Sequence, residues 1–325
     1  GFDRKKLYAA FERAVNTKGK PTVILIKTLK GYGLGERAEG TNTTHQKKQM
    51  SDDERLEIAH RLDIPLSEKA IKEAQFFVPD ADSKEMQYLH EQRKKLGGYQ
   101  PIRFNDCKSV KTPSIEIFQD FLDGIDRSVS TTLSLVRMIS KLLRDKELGK
   151  YLVPIVPDEA RTFGMDGLFP QAGIYSPEGQ NYEPVDAGTL SPYKEAKDGQ
   201  ILQEGICEAG ALASFMAAGT AYAHFQLPMI PFYIFYSIFG MQRVGDMIWA
   251  CGDALTRGFL IGGTAGRTTL NGEGVQHQDG HSHVLAATYP NLMTYDPCFA
   301  YELAIIIREG IRRMYEEQED IFYYL

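Results

Sequence analysis

The sequence predicts an α/β protein: a parallel sheet flanked by helices, preceded by a separate first region of about a hundred residues. Short apolar runs alternate with helical stretches after residue 130, which is typical of a parallel sheet covered on both faces. An aperiodic, Pro-bearing segment at residues 99–114 separates this region from the first hundred residues. A length of 325 residues also exceeds one comfortable hydrophobic core. We therefore expect two domains, or one domain with extensions, with the boundary at residues 99–114.

The first region contains signals for several helices and one strand. Asp3 is expected to cap a helix, and the β-branched run at residues 22–29 predicts a strand. Three glycines follow in KGYGLG, and residues 36–50 are polar and aperiodic, which indicates a loop. Ser51 and Glu54 match a capping box that opens the next helix. Two more helices are expected at residues 67–74 and 83–96.

The second region alternates helices and strands. A long amphipathic helix is expected at residues 130–148, ahead of a strand at residues 152–156. Further strands are expected at residues 201–206, 229–235, 259–262, 292–295 and 321–325, with helices at 207–222, 240–255 and 298–314. Ligands of such sheets bind beyond the carboxyl ends of the strands, so the residues that follow each strand are the candidates for a site.

Composition argues against some classes of function. A net charge of −6 does not suggest the basic surface that nucleic-acid phosphates require. No window approaches the roughly 18 consecutive apolar residues that indicate a membrane span. The N-terminal residues do not resemble a signal peptide, and the four cysteines show no paired spacing. We therefore expect a cytoplasmic protein without nucleic-acid or membrane partners.

Glu208 is the first candidate functional residue, because it follows a predicted strand at the start of a small-residue helix. A carboxylate there can simply favour the positive end of the helix dipole, which contributes about 0.3–1 kcal/mol. Alternatively, the neighbouring Ala-rich helix and the next apolar strand predict a dry pocket, in which a buried carboxylate is typical of a functional site. The sequence leaves both interpretations open.

A histidine-rich loop, QHQDGHSH at residues 276–283, is the second candidate. Its imidazoles, His277, His281 and His283, suit proton transfer and hydrogen bonding at the end of a strand. Metal binding is an alternative, although the helical spacing and cysteine pairs of well-known zinc sites are lacking. A structural role for any single histidine also stays open.

Two further strand ends carry candidate residues. Tyr236 and Phe239 close the aromatic run PMIPFYIFYSIFG, where most rings are expected in the core but an exit ring can stack on a planar ligand. Asp158 and Glu159 follow the strand at residues 152–156, next to Arg161. They are expected either to form a solvated ion pair of little energetic value or to contribute to a site at the strand end.

Seven segments occur in a specific order along the chain: TLKGYG, YLHEQRKKLGGY, DEARTFGM, GQILQEGICEAGA, MIPFYIFYSIFG, GGTAGRTTLNGEG and HQDGHSH. In this order they resemble the homodimeric type of pyruvate dehydrogenase first component, within the transketolase-like superfamily of thiamine diphosphate enzymes. The resemblance covers essentially the whole chain. His281 stands where transketolases typically have proline, which favours the dehydrogenase.

The resemblance implies a domain assignment. Residues 1–105 would be the C-terminal part of the diphosphate-binding domain, and residues 106–325 the pyrimidine-binding domain. The family's Gly-Asp-Gly element, which binds magnesium and the diphosphate, is not found in the sequence, and neither is its C-terminal domain. We therefore expect an internal fragment that is inactive alone, with the magnesium ligands outside this chain.

The resemblance also implies roles for individual residues. Glu208 would hydrogen-bond the aminopyrimidine ring of thiamine diphosphate, and Phe239 would stack on that ring with Tyr236 beside it. His277 and His283 match active-site histidines of the family. The remaining residues expected near the cofactor or substrate are Lys30, His45, Asp158 and Glu159.

The implied activity is decarboxylation of pyruvate and transfer of the two-carbon unit to the lipoyl group of a dihydrolipoyl transacetylase, by a homodimer whose active sites lie between subunits. His45 would assist lipoyl transfer from one mobile loop, and residues 178–194 resemble a second loop that orders over the filled site. The alternatives are a non-catalytic folded or dimerisation module, another transketolase-like enzyme, or a metal-binding protein.

Overall fold

The computed structural model describes residues 1–99, 104, 107–158, 160–265 and 274–325. The chain divides into two compact units, Gly1–Gln100 and Pro101–Leu325. Assignment of these units to the two expected domains stays a prediction. No helix in the described ranges is both long enough and apolar enough to cross a bilayer.

The first unit is helical. Asp3 caps its first helix by accepting hydrogen bonds from the amides of Lys5 and Lys6, and Ser51 and Glu54 form the predicted capping box. Its helices are α1 (Arg4–Asn16), α2 (Asp52–Arg61), α3 (Glu68–Lys72) and α4 (Lys84–Lys95), with a 3-10 turn at Asn42–Gln46.

The strand predicted at residues 22–29 is wrong. The segment has no ladder, and its side chains are largely exposed, with Val23 at 81% and Leu25 at 93%. A strand requires hydrogen bonds from a neighbour, and the described residues of this unit contain no other strand. The β-propensity of residues 22–29 is therefore not sufficient to form a strand here, because no described neighbouring strand can pair with them.

The second unit contains the predicted parallel sheet. The strands of this unit are β1 (Leu152–Val156), β2 (Ile174–Tyr175), β3 (Glu195–Ala196), β4 (Leu202–Gln203), β5 (Ile230–Tyr236), β6 (Phe259–Gly263), β7 (Leu292–Thr294) and β8 (Phe322–Tyr324). Six of them form one sheet in the order β4-β1-β5-β6-β8-β7, and every described pair is parallel. A separate two-stranded parallel sheet pairs β2 with β3.

Helices cover both faces of this sheet. They are α5 (Gln119–Leu122), α6 (Thr131–Leu143), α7 (Phe169–Ala172), α8 (Glu208–Gly219), α9 (Ala221–Phe225), α10 (Met241–Asp253), α11 (Ser282–Ala286) and α12 (Ala300–Ile311). Side chains alternate along β5: Phe232 and Ile234 join the core formed with α6 and α12, whereas Tyr233 and Phe235 join the core formed with α8 and α10. This arrangement confirms the predicted fold class.

Two predicted elements are shorter than expected. The strand at residues 201–206 is reduced to β4, since Gly205 takes a positive φ of 79° and turns the chain away from the ladder. Helix α6 ends at Leu143, because the Asp145 carboxylate accepts the amides of Glu147 and Leu148 and holds a turn instead.

Candidate functional site

Three aromatic rings meet where β5 ends. Tyr236 is the last residue of β5, and Phe239 lies in the 3-10 turn Ser237–Phe239 that leads to α10. The His277 ring lies 5.1 Å from that of Tyr236 and 5.7 Å from that of Phe239, and these two rings are 5.9 Å apart. The structure thus brings together three residues predicted for the site, at the carboxyl end of a central strand.

Glu208 is the first residue of α8, and its side chain is only 11% exposed. Its carboxylate Oε1 accepts a hydrogen bond of 2.9 Å from Nη1 of Arg243, while its carbonyl oxygen accepts one of 3.4 Å from the Tyr233 hydroxyl. A carboxylate that acted only on the helix dipole would need no such enclosure. The burial therefore favours the interpretation of Glu208 as a site residue.

Arg243 links Glu208 to the aromatic cluster. Its Cζ lies 3.8 Å from the centroid of the Phe239 ring, while Nη1 contacts the Glu208 carboxylate. This combination of cation–π contact and ion pair was not predicted from the sequence. The available signal was the position of an arginine four residues after an exit aromatic, at the start of a helix.

Asp279 holds the histidine-rich loop in place. Its side chain accepts hydrogen bonds from the Ser282 hydroxyl and from the amides of His281 (3.0 Å) and Ser282 (3.3 Å). Gln242, at the start of α10, donates to the same carboxylate at 3.4 Å. Burial alone would raise the pKa of Asp279, but these hydrogen bonds outweigh it and the pKa lies below its usual range.

Removal of this carboxylate is expected to destabilise the loop. Because the folded-state pKa of Asp279 is lowered, its stabilising contribution is present above the unfolded pKa of about 3.9 and is lost as pH falls through the lower folded value. Asp279→Asn should lower the free energy of unfolding at pH 7 by about 1–3 kcal/mol. The difference between wild type and variant, measured by urea unfolding, should shrink below pH 4. A constant difference from pH 7 to pH 3 would contradict this account.

His283 lies in a different environment from His277. Its ring is 5.2 Å from that of Tyr324 in β8, whose pKa burial raises to about 12. Among the residues that the structure describes, no group of three or more His, Cys, Asp or Glu side chains could hold a metal ion. The metal-binding alternative on His277, His281 and His283 therefore gains no support from the geometry.

Asp158 is exposed at the end of β1 and accepts a 2.8 Å hydrogen bond from Nε2 of Gln203 in β4. Gln203 also donates to the hydroxyl of Tyr193 at 3.2 Å. Burial is the main reason why the pKa of Tyr193 is raised to about 12, so this phenol is neutral at pH 7. Glu159, the other predicted acid, lies outside the described residues.

Residues 178–194 are anchored next to this strand end. The Asp186 carboxylate pairs with Arg161 and accepts the Tyr193 amide at 3.0 Å, and Gln180 donates to the carbonyl of Tyr193 at 3.1 Å. Leu190 is fully exposed. The expected ordering of this loop over a filled site stays a prediction.

Lys30 and His45 belong to the first unit. The Nζ atom of Lys30 lies 2.6 Å from Nδ1 of His45, within hydrogen-bond distance. The structure therefore pairs two residues that were predicted separately.

The fold of the chain is shared with transketolases. It aligns with the transketolase of Campylobacter jejuni at a TM-score of 0.62 and 16% identity, over 99% of this chain and 44% of that one. The Leishmania mexicana transketolase aligns at a TM-score of 0.58 and 16% identity, over 100% of this chain and 44% of that one. The chain thus has the α/β fold of these transketolases.

Sequence similarity identifies the family to which this chain belongs. The family described as "Pyruvate dehydrogenase E1 component middle domain" matches residues 119–325. Curated proteins named "Pyruvate dehydrogenase E1 component" are 57% identical in Pseudomonas aeruginosa, 52% in Escherichia coli (strain K12) and 50% in Cupriavidus necator, each over 100% of this chain. The chain belongs to the pyruvate dehydrogenase E1 component family. It spans 36–37% of the length of these relatives.

Proposed function

We propose that this chain is the part of a pyruvate dehydrogenase E1 component that holds the aminopyrimidine ring of thiamine diphosphate, in a protein that decarboxylates pyruvate. The observation that carries the proposal is the largely buried carboxylate of Glu208. It is linked to the aromatic cluster by Arg243, whose planar guanidinium lies on the ring of Phe239. The name of the relatives supplies the substrate, pyruvate.

The residues present fit an aminopyrimidine ring. The guanidinium of Arg243 is a flat group with N–H donors, and it lies against the Phe239 face within hydrogen-bond distance of Glu208. A flat heteroaromatic ring can make the same two contacts, a stack on Phe239 and a hydrogen bond to the carboxylate. The geometry thus supports this cluster as the ring site.

The protein residues have distinct tasks in this proposal. Glu208, screened from water, accepts a strong hydrogen bond from the ring because the local dielectric is low. Phe239 and Tyr236 fix the plane of the ring. Thiamine diphosphate, held by these residues, would supply a nucleophilic carbon and an electron sink for the decarboxylation of a 2-oxo acid.

His277 is placed to handle protons near the substrate, since its ring borders both Tyr236 and Phe239. We assign His283 a supporting role in the same loop, against Tyr324. Asp158 and Glu159 belong to the proposal as strand-end acids near the cofactor. Lys30 and His45 belong to it as a pair that acts on the lipoyl or substrate side.

The wider assembly is also part of the proposal. The diphosphate and magnesium ligands are assigned to the part of the relatives that this chain does not span, and the first unit to the end of the diphosphate-binding domain. The partners would be a second subunit, which completes the active site, and the lipoyl domain of a dihydrolipoyl transacetylase. The proposal also includes a cytoplasmic location.

Calorimetric titration with thiamine diphosphate and magnesium tests whether the ring site lies in this chain and the diphosphate and magnesium ligands lie in the rest of the protein. The chain alone is expected to bind weakly or not at all, because phosphate and magnesium contacts supply much of the affinity for such a cofactor. The complete protein should bind at micromolar concentrations or below. Tight binding by the isolated chain, or no binding by the complete protein, would contradict the assignment.

A further inference from the structure

We infer that Gln242 is a positioning residue: its amide holds the histidine-rich loop against the turn that carries Phe239, and so sets the position of the His277 ring. The inference rests on the proposed function, in which His277 handles protons near the substrate. Gln242 is the second residue of α10 and was not among the residues predicted for the site from the sequence.

The side-chain amide of Gln242 contacts two acceptors of this loop. Its Nε2 lies 3.4 Å from Oδ1 of Asp279 and 3.4 Å from Oγ of Ser282. An amide nitrogen carries two N–H groups, so it can donate to both acceptors at once. Asp279 is 5% exposed and Ser282 is 3% exposed, whereas Gln242 is exposed as a residue. The amide thus covers a buried carboxylate that cannot easily replace a lost donor with water.

The loop is held on both sides of Phe239. The Ser282 hydroxyl lies 3.3 Å from the carbonyl oxygen of Ser237, the first residue of the aromatic turn, and Gln242 contacts the same hydroxyl three residues after Phe239. The His277 ring on this loop is 5.7 Å from that of Phe239. Removal of the Gln242 amide leaves the connection on one side only. A displacement of about 1 Å in a catalytic group can lower a rate by up to about 100-fold.

A second carboxylate at position 242 would reverse the sign of this contact. Gln242→Glu places it next to the buried Asp279, and two adjacent carboxylates raise the pKa of one member of the pair. Above that pKa the two charges repel each other and release the loop. Below it, a proton shared by the pair restores a hydrogen bond between them. The variant should therefore improve as the pH falls, which loss of packing alone would not cause.

Other titratable groups near the pair do not obscure this effect. Tyr324 of β8, on which the charge of Asp279 acts, stays neutral because burial raises its pKa to about 12. The imidazoles of His281 and His283 titrate in the wild type as well. The ratio of the variant rate to the wild-type rate therefore reports on the carboxylate pair.

The test uses the complete protein and measures carbon dioxide release together with the dissociation constant of thiamine diphosphate. Gln242→Met keeps the length of the side chain and removes the donor, so kcat should fall about tenfold. The dissociation constant should stay within about threefold of wild type, because Gln242 acts on His277 and not on the ring site. For Gln242→Glu, kcat relative to wild type should rise at least about threefold from pH 8 to pH 6.

Hydrogen exchange of the loop gives a readout that does not depend on activity. The amides of His281 and Ser282 donate to Asp279, so both should exchange faster with solvent in Gln242→Met than in wild type. Should Gln242→Met not fold, the pH dependence of Gln242→Glu decides.

Gln119→Met and Gln119→Glu are the matched controls, because Gln119 donates at 3.2 Å to Asp123, an exposed aspartate of the same unit. Neither should change kcat or the exchange of the loop. Wild-type kcat and exchange in both Gln242 variants would overturn the inference, and so would a loss in Gln242→Glu that is independent of pH. A wild type that does not decarboxylate pyruvate would instead refute the proposed function, while faster exchange in Gln242→Met would still show that Gln242 holds the loop.

Discussion

Glu208→Ala in the complete protein should slow the proposed decarboxylation of pyruvate at least about 100-fold while the fold stays intact. The carboxylate is 11% exposed at the start of α8, and we assign it the hydrogen bond that polarises the cofactor ring. Glu208→Gln keeps the shape and removes the charge, so it should lose most of the same rate. Steady-state carbon dioxide release and circular dichroism measure the two quantities.

Glu204→Gln provides a matched control, since this exposed carboxylate lies four residues earlier and contacts Ser214 on the same helix. Its turnover should stay within a few-fold of wild type. If Glu208 acted only on the helix dipole, its replacement would cost about 0.3–1 kcal/mol of stability and leave turnover normal. Near-normal turnover of Glu208→Ala would therefore refute its assigned role.

Phe232→Ala should reduce the free energy of unfolding by about 3–5 kcal/mol. The ring is fully buried in the middle of β5 and stacks on Phe259 of β6 at a centroid distance of 4.6 Å. Its removal leaves a cavity between two central strands that the close-packed sheet cannot easily fill. The midpoint of urea unfolding, followed by circular dichroism, measures the change.

Phe225→Ala is the corresponding control at the surface, because this ring at the end of α9 is 79% exposed. Its effect should be below about 0.5 kcal/mol. Similar unfolding midpoints for the two variants would show that β5 is not the centre of the core.

The sequence was sufficient for the sheet because its strands have a strong local signature. Residues 230–236 place apolar side chains on both faces and lie between Pro228 and Gly240, as expected of a strand covered on both faces. Helix α6, which precedes the first strand of the sheet, begins at a recognisable cap, because the Ser130 side chain accepts the amide of Leu133. Those signals depend only on residues that are close in sequence, so they can be recognised without knowledge of the tertiary structure.

The strand predicted at residues 22–29 shows where local information ends. Its apolar residues have the same propensity as β5, but a strand forms only when a neighbour supplies hydrogen bonds. Arg243 was missed for a related reason, since its partner Glu208 lies 35 residues earlier and is brought near only by the sheet. Contacts of this kind are properties of the fold.

The most direct measurement is a crystal structure of the complete protein with thiamine diphosphate and magnesium. Our account predicts a Glu208 oxygen within about 3.2 Å of a pyrimidine ring nitrogen, with the ring stacked on Phe239. A ring bound elsewhere, with the Glu208 carboxylate exposed to solvent, would contradict it.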